Sequence, residues 1–68
     1  MVKVNGEKME WHGGMTVEDA IKFADYPEYN YPILVVTVNG EHVKNDMFKN
    51  TPIADGDEIK IMQPLAGG

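Results

Sequence analysis

The tetrapeptide Val-Asn-Gly-Glu occurs twice, at residues 4–7 and 38–41, and each copy lies between two short β-like runs. Asn-Gly in that setting is the strongest local signal for a β-hairpin, because both residues tolerate the positive φ angles of a two-residue turn. The flanking segments differ, so we interpret the two copies as the same turn chemistry and not as a repeat of the fold. A chain of 68 residues forms one domain, and two hairpins occupy much of it.

The strand predictions follow from alternating apolar residues. Val2 and Val4 point to one side of a first strand, and Met9 and Trp11 supply the buried side of the second. The β-branched run 33–38 predicts a central strand, 41–43 a short returning edge strand, and 58–62 a last strand.

One helix is predicted between the hairpins. Thr16 is a good N-cap residue, and Asp19 lies three positions later, where a capping box carries its acid. An apolar stripe at helical spacing follows, formed by Val17, Ala20, Ile21 and Ala24. Pro27 disfavours helix at the residue before it, so the helix should end near Asp25 and residues 25–32 should form a loop.

These elements predict an α+β fold in which a mixed four- to five-stranded sheet packs on one helix. The helix stripe should bury against Val2, Val4, Met9, Trp11, Leu34, Val36, Val38, Ile59 and Ile61. The opposite face of the sheet should carry Lys3, Val35, Thr37, Lys60 and Met62. A face that mixes lysine with apolar residues is a candidate docking surface for a partner protein.

Composition excludes several functions. The chain has no cysteine, so disulfides, thiolate zinc sites and a cysteine nucleophile are excluded. No apolar run is long enough for a membrane span or a signal peptide, which predicts a cytoplasmic protein that does not bind membranes. A net charge of −5 without any arginine argues against nucleic acid as a ligand and suits a positively charged partner surface.

No catalytic constellation emerges from the remaining polar residues. His12 and His42 could form a metal pair, but exposed turn positions explain them better. The acids Asp55, Asp57 and Glu58 fit a turn and a strand start better than a calcium loop. The tyrosines at 26, 29 and 31 are interpreted as packing or partner contacts, and the pair Met47-Phe48 as core. We therefore predict that the chain is not an enzyme and binds neither metal nor cofactor.

The last five residues are Pro64-Leu65-Ala66-Gly67-Gly68. When extended, they reach roughly 16–18 Å at 3.3–3.6 Å per residue, and two glycines give the slimmest backbone available. A globule at residues 1–63 could thus present a free carboxylate on a flexible tail at residues 64–68. A terminus that only frays is the alternative.

In this order, the motifs resemble the ubiquitin-like β-grasp sulfur carriers of the ThiS family. The resemblance spans nearly the whole chain. It is carried by the segments 4–7, 14–19, 38–41 and 55–59 and by the final Gly67-Gly68. A near relative of that family is the MoaD-type small subunit of molybdopterin synthase. The proline just before the tail, Pro64, is a feature similar to that relative. This chain departs from the thiamine carriers at Lys44-Asn45, where they often have arginine, and in a longer loop at 25–32.

The resemblance implies that Gly68 is the working residue and that Leu65, Ala66 and Gly67 enter a partner's active site with it. A ThiF/MoeB-type adenylyltransferase would use ATP and Mg to form an acyl-adenylate on Gly68, and a persulfide donor would convert it to a thiocarboxylate. The sulfur would then pass to a ThiG-type thiazole synthase in thiamine biosynthesis. The carrier alone would be a monomer.

Two alternatives stay open on the sequence. A MoaD-like subunit would insert its tail into the large subunit of molybdopterin synthase and form a tight complex with it. A non-conjugated β-grasp binding module would dock through its sheet and lose nothing on deletion of Gly67 and Gly68.

Overall fold

A computed structural model describes residues 1–64 of the chain. Its regular elements in chain order are β1 (Val2–Val4), β2 (Glu7–Met9), α1 (Val17–Phe23), the 3₁₀ helix η1 (Glu28–Ile33), β3 (Val35–Val38), β4 (Glu41–Val43), the 3₁₀ turn η2 (Asn45–Met47) and β5 (Glu58–Met62). No helix in the described part of the chain is long and apolar enough to cross a membrane.

Both Asn-Gly pairs form the predicted turns. Asn5 and Gly6 have φ angles of 51° and 85°, and Asn39 and Gly40 have 52° and 86°. Positive φ at both central positions is the geometry of a type I′ turn, whose twist matches that of the flanking strands. Each turn closes an antiparallel hairpin in which valine at the turn's start pairs with glutamate at its end.

The five strands form one mixed sheet in the order β2-β1-β5-β3-β4. The last strand therefore lies in the middle, parallel to β1 and antiparallel to β3. This confirms the predicted α+β architecture and its upper strand number. It also confirms 41–43 as an edge strand.

Both turn asparagines also hold β5 in place. The side chain of Asn5 accepts the N–H of Ile61 at 2.7 Å and donates to the Ile61 carbonyl at 3.2 Å. At the other end of β5, the Asn39 side chain accepts the N–H of Glu58 at 2.9 Å. Asn5 thus continues the β1–β5 ladder by one more pair of hydrogen bonds after the β1 backbone has turned away.

Helix α1 begins as predicted and ends two residues early. The Asp19 carboxylate accepts the Thr16 N–H at 2.8 Å, which is the acidic half of a capping box. The predicted end near Asp25 is wrong because Asp25 adopts φ of 71°, a left-handed conformation that terminates helices, after Phe23 and the cap residue Ala24.

The core lies between α1 and one face of the sheet. Val2, Val17, Ile21, Val36 and Ile59 have no exposed surface at all. Burying a side chain of this size stabilises the fold by about 1.5–3 kcal/mol each. Residues not predicted from periodicity complete the core, namely Met15, Tyr31, Val43 and Ile53.

Three core predictions need correction. Trp11 does not lie on the buried side of β2, because that strand ends at Met9 and Trp11 is 39% exposed. Its indole N–H donates to the Ile53 carbonyl at 2.9 Å, which satisfies the polar group of the ring. Val38 is only partly buried, at the end of β3. Of the pair at 47–48, Phe48 is core, whereas Met47 is 42% exposed.

Candidate functional site

The central strand β5 leads directly to the chain end. After Met62 the chain leaves the sheet, and Gln63 and Pro64 are exposed. Leu65, Ala66, Gly67 and Gly68 lie outside the described residues, so their roles and the boundary between residues 63 and 64 stay predictions.

The five residues predicted for the docking surface do lie together on one face. Met62 pairs with Val35, and Lys60 pairs with Thr37 across the β3–β5 ladder. Lys3 lies on the same side of β1, between two fully buried valines. We call this side of the sheet the open face. Its role in docking remains a prediction.

The open face is cationic, although the protein as a whole is acidic. Lys8 pairs directly with Lys3 and His42 with Thr37, so both join this face. Glu58, beside Lys3, is the acid that the strand registers place among them. Sequence reasoning missed Lys8 and His42, although a two-residue turn fixes both registers and could have revealed them.

The side chains of the open face change from charged to apolar along β5. Glu58 and Lys60 come first, and the apolar pair Met62–Val35 comes last, where the chain leaves the sheet. Met62 is 63% exposed and Val35 is 37% exposed. An exposed apolar rim therefore borders the point from which the tail departs, with lysines behind it.

The segment predicted as a loop at 25–32 is largely the 3₁₀ helix η1. Pro27 accepts the N–H of Asn30, and Tyr31 accepts the N–H of Leu34, both as i to i+3 hydrogen bonds. Pro32 fits inside this short helix. The prediction failed because the segment is set by Tyr31, whose ring meets Phe48 edge to face at a centroid distance of 5.6 Å.

Two polar contacts fix η1 from within. The Asn45 amide donates to the carbonyl of Tyr31 at 2.6 Å and to that of Leu34 at 2.7 Å. The Tyr31 hydroxyl donates to the Glu18 carboxylate at 3.1 Å. Burial of the ring, with the hydrogen bond to Glu18, raises the pKa of Tyr31 to about 12. On the surface, Lys49 binds Glu28 at 2.9 Å and lowers the pKa of that carboxyl.

The raised pKa of Tyr31 predicts a loss of stability in alkaline solution. The unfolded chain loses this proton near 10.0, whereas the folded protein keeps it until about 12. The contribution to stability is complete below pH 10 and disappears as pH rises through the folded pKa. Urea unfolding of the wild type and of Tyr31→Phe should therefore give free energies that converge across this window. A constant difference between the two proteins would contradict the assignment.

The histidines and acids considered as metal ligands have structural roles or exposed positions. His12 and His42 are both exposed, and His42 belongs to β4 and not to a turn. Asp57 accepts the Ala54 N–H and an Asn39 amide hydrogen, as expected of a turn and strand start. Residues 1–64 contain no group of three His, Cys, Asp or Glu side chains placed to hold a metal ion.

A last strand in the centre of the sheet, between two I′ hairpins and with one α-helix packed across it, defines a ubiquitin-like β-grasp fold. The chain belongs to the ThiS family, whose family model matches residues 2–68. A crystal structure of thiamine biosynthesis protein ThiS from Geobacter metallireducens is 25% identical, with a TM-score of 0.71 over 98% of this chain and 97% of that one.

A second solved structure shows the same fold. The NMR solution structure of a thiamine biosynthesis protein from Geobacter metallireducens is 22% identical, with a TM-score of 0.74 over 98% of this chain and 86% of that chain. A comparison with curated proteins gives no match.

Proposed function

We propose that this protein carries sulfur for thiazole formation in thiamine biosynthesis, as a thiocarboxylate at Gly68. The observation that carries the proposal is the family match, which continues through Gly67 to Gly68. The Geobacter metallireducens protein, solved both by crystallography and by NMR, is a thiamine biosynthesis protein, which favours this pathway over molybdopterin synthase.

The chemistry follows from the carboxylate. Its oxygen is a poor leaving group, so a ThiF-type adenylyltransferase first joins it to AMP from Mg-ATP and releases pyrophosphate. Persulfide sulfur then attacks the acyl carbon and AMP leaves. A thiol reduces the resulting acyl disulfide, which frees the thiocarboxylate and leaves a disulfide behind. The carrier acts as a co-substrate in this scheme, and its partner holds the ATP and Mg.

The open face is proposed to dock the partner enzymes. Lys3, Lys8 and Lys60 make this face cationic, and Val35 and Met62 form its apolar end beside the tail. The net charge suggested a positively charged partner surface, but the lysines reverse that expectation here. A partner that binds this face needs an acidic surface with an apolar patch opposite Val35 and Met62.

Intact-mass spectrometry tests the proposal. The purified protein is incubated with the ThiF-type enzyme of the same organism, Mg-ATP and sulfide, which displaces AMP directly. We expect the mass to rise by the difference between a sulfur and an oxygen atom, with fragment ions locating the change at Gly68. No change of mass, with the same enzyme shown to be active on another carrier of the ThiS family, would reject the function.

A further inference from the structure

The 3₁₀ helix η1 is anchored on its inner side and exposed on its outer side. The Tyr31 ring packs against Phe48, and the Asn45 amide holds the carbonyls of Tyr31 and Leu34. These contacts hold the backbone from two residues after Tyr29 onward, and the ion pair between Lys49 and Glu28 holds the residue before it. The backbone at Tyr29 is thus held by contacts of neighbouring residues, and the Tyr29 side chain takes no part in those contacts.

Tyr29 itself is 84% exposed, more than any other large apolar or aromatic side chain that the structure describes. Ile33, at the end of the same helix, is 47% exposed. Tyrosine has only two side-chain torsions, so a tyrosine on a fixed backbone loses little conformational entropy when a partner covers it. Tyrosine is also one of the three residue types enriched among the side chains that contribute most binding energy at protein interfaces.

This helix lies beside the base of the tail. The Asn30 amide donates to the Gln63 side chain at 3.1 Å, which joins η1 to the residue after β5. Two residues beyond Ile33, Val35 pairs with Met62. Helix η1 therefore lies beside the point where the tail departs, and Tyr29 directly precedes the residue that contacts Gln63.

The length of the tail limits how far away a partner can be. Four residues, 65–68, follow Pro64. Fully extended, they span at most about 14 Å. An enzyme that reaches the Gly68 carboxylate must bring its surface within that distance of Pro64, and hence close to η1.

On these grounds we infer that Tyr29, supported by η1, is an anchor residue for the enzyme that activates Gly68, and that it contacts the rim of that enzyme's tail-binding channel. The inference rests on the proposed function and adds to it a specificity-determining residue outside the sheet.

Steady-state activation of Tyr29→Ala tests the inference. Pyrophosphate release by the ThiF-type enzyme of the same organism is measured against carrier concentration, with Mg-ATP and with sulfide to displace AMP from the acyl-adenylate. We expect the KM for the carrier to rise about 10-fold, the equivalent of about 1.4 kcal/mol, while kcat changes less than about twofold. Tyr29→Phe keeps the ring and should retain a KM close to that of the wild type.

Phe23→Ala is the matched control, because Phe23 is also an exposed aromatic residue, at 43%, but belongs to α1. Its KM should stay near the wild-type value, and the thermal midpoints should show that both variants fold. An unchanged KM for Tyr29→Ala, with the wild type activated normally, overturns the inference alone. A wild type that releases no pyrophosphate overturns the proposed function as well. A wild-type dimer that Tyr29→Ala dissociates would mean that a second copy covers Tyr29, which also overturns it.

Discussion

Adding one residue after Gly68 is expected to abolish thiocarboxylate formation while leaving the fold unchanged. The addition turns the carboxylate of Gly68 into a peptide carbonyl, which has no oxygen that can be joined to AMP. The described body ends its last strand at Met62, so an addition beyond residue 68 removes none of its contacts. Intact mass after incubation with the activating enzyme, Mg-ATP and sulfide measures the product, and thermal unfolding checks the fold.

Gly68→Ala is the control for this experiment. It keeps a free carboxylate at the same chain length and adds only a methyl group. We expect slower but detectable conversion, because a Cβ narrows the fit in a channel and restricts φ and ψ without removing the reacting group. If the extended protein were thiocarboxylated on its added residue as fast as the wild type, the requirement for Gly68 would be wrong.

Asn5→Gly is expected to destabilise the protein by about 2–3 kcal/mol, a large fraction of the stability of a small domain. Glycine keeps the positive φ angle of the turn, so the change removes only the side chain that binds Ile61. Ile61 is 3% exposed, and its backbone N–H and carbonyl would lose their partner where water has poor access.

Asn39→Gly is the matched variant, because Asn39 occupies the same position of an equivalent turn. Its side chain binds Glu58 and Asp57 at exposed sites, where water can replace it. We expect a loss of about 1 kcal/mol or less. The added flexibility of glycine in the unfolded chain is common to both variants and cancels in the comparison. Equal free energies of unfolding in urea for the two variants would show that the Asn5 side chain stabilises the protein no more than the Asn39 side chain does.

The sequence was sufficient for the features that depend on local pattern. The Asn-Gly turns, the start of α1 at Thr16 and the five residues on the open face follow from turn chemistry, capping and alternation. Each of these signals is contained within a few neighbouring residues, and the structure confirms them.

The features that escaped prediction depend on contacts between distant residues. Asn5 and Ile61 are 56 positions apart, and the hydrogen bond of Trp11 to Ile53 spans 42. Helix η1 takes its shape from Phe48 and Asn45, which follow it in the chain. The local pattern of residues 25–32 carries no information about such distant partners, so the sequence alone predicts a loop there. The position of η1 beside the tail depends in the same way on the distant contact between Asn30 and Gln63.

The parallel pairing of β1 with β5 has a mechanical consequence. The Lys3 N–H donates to Asp57, the Asn5 N–H to Ile59, and the Asn5 side chain reaches Ile61, so these bonds lie side by side along the two strands. A pull on the chain beyond residue 63, resisted at Met1, loads them all at once in shear. Antiparallel neighbours pulled from one end would instead unzip bond by bond. A pull on the tail while β1 is held would therefore have to break these hydrogen bonds together.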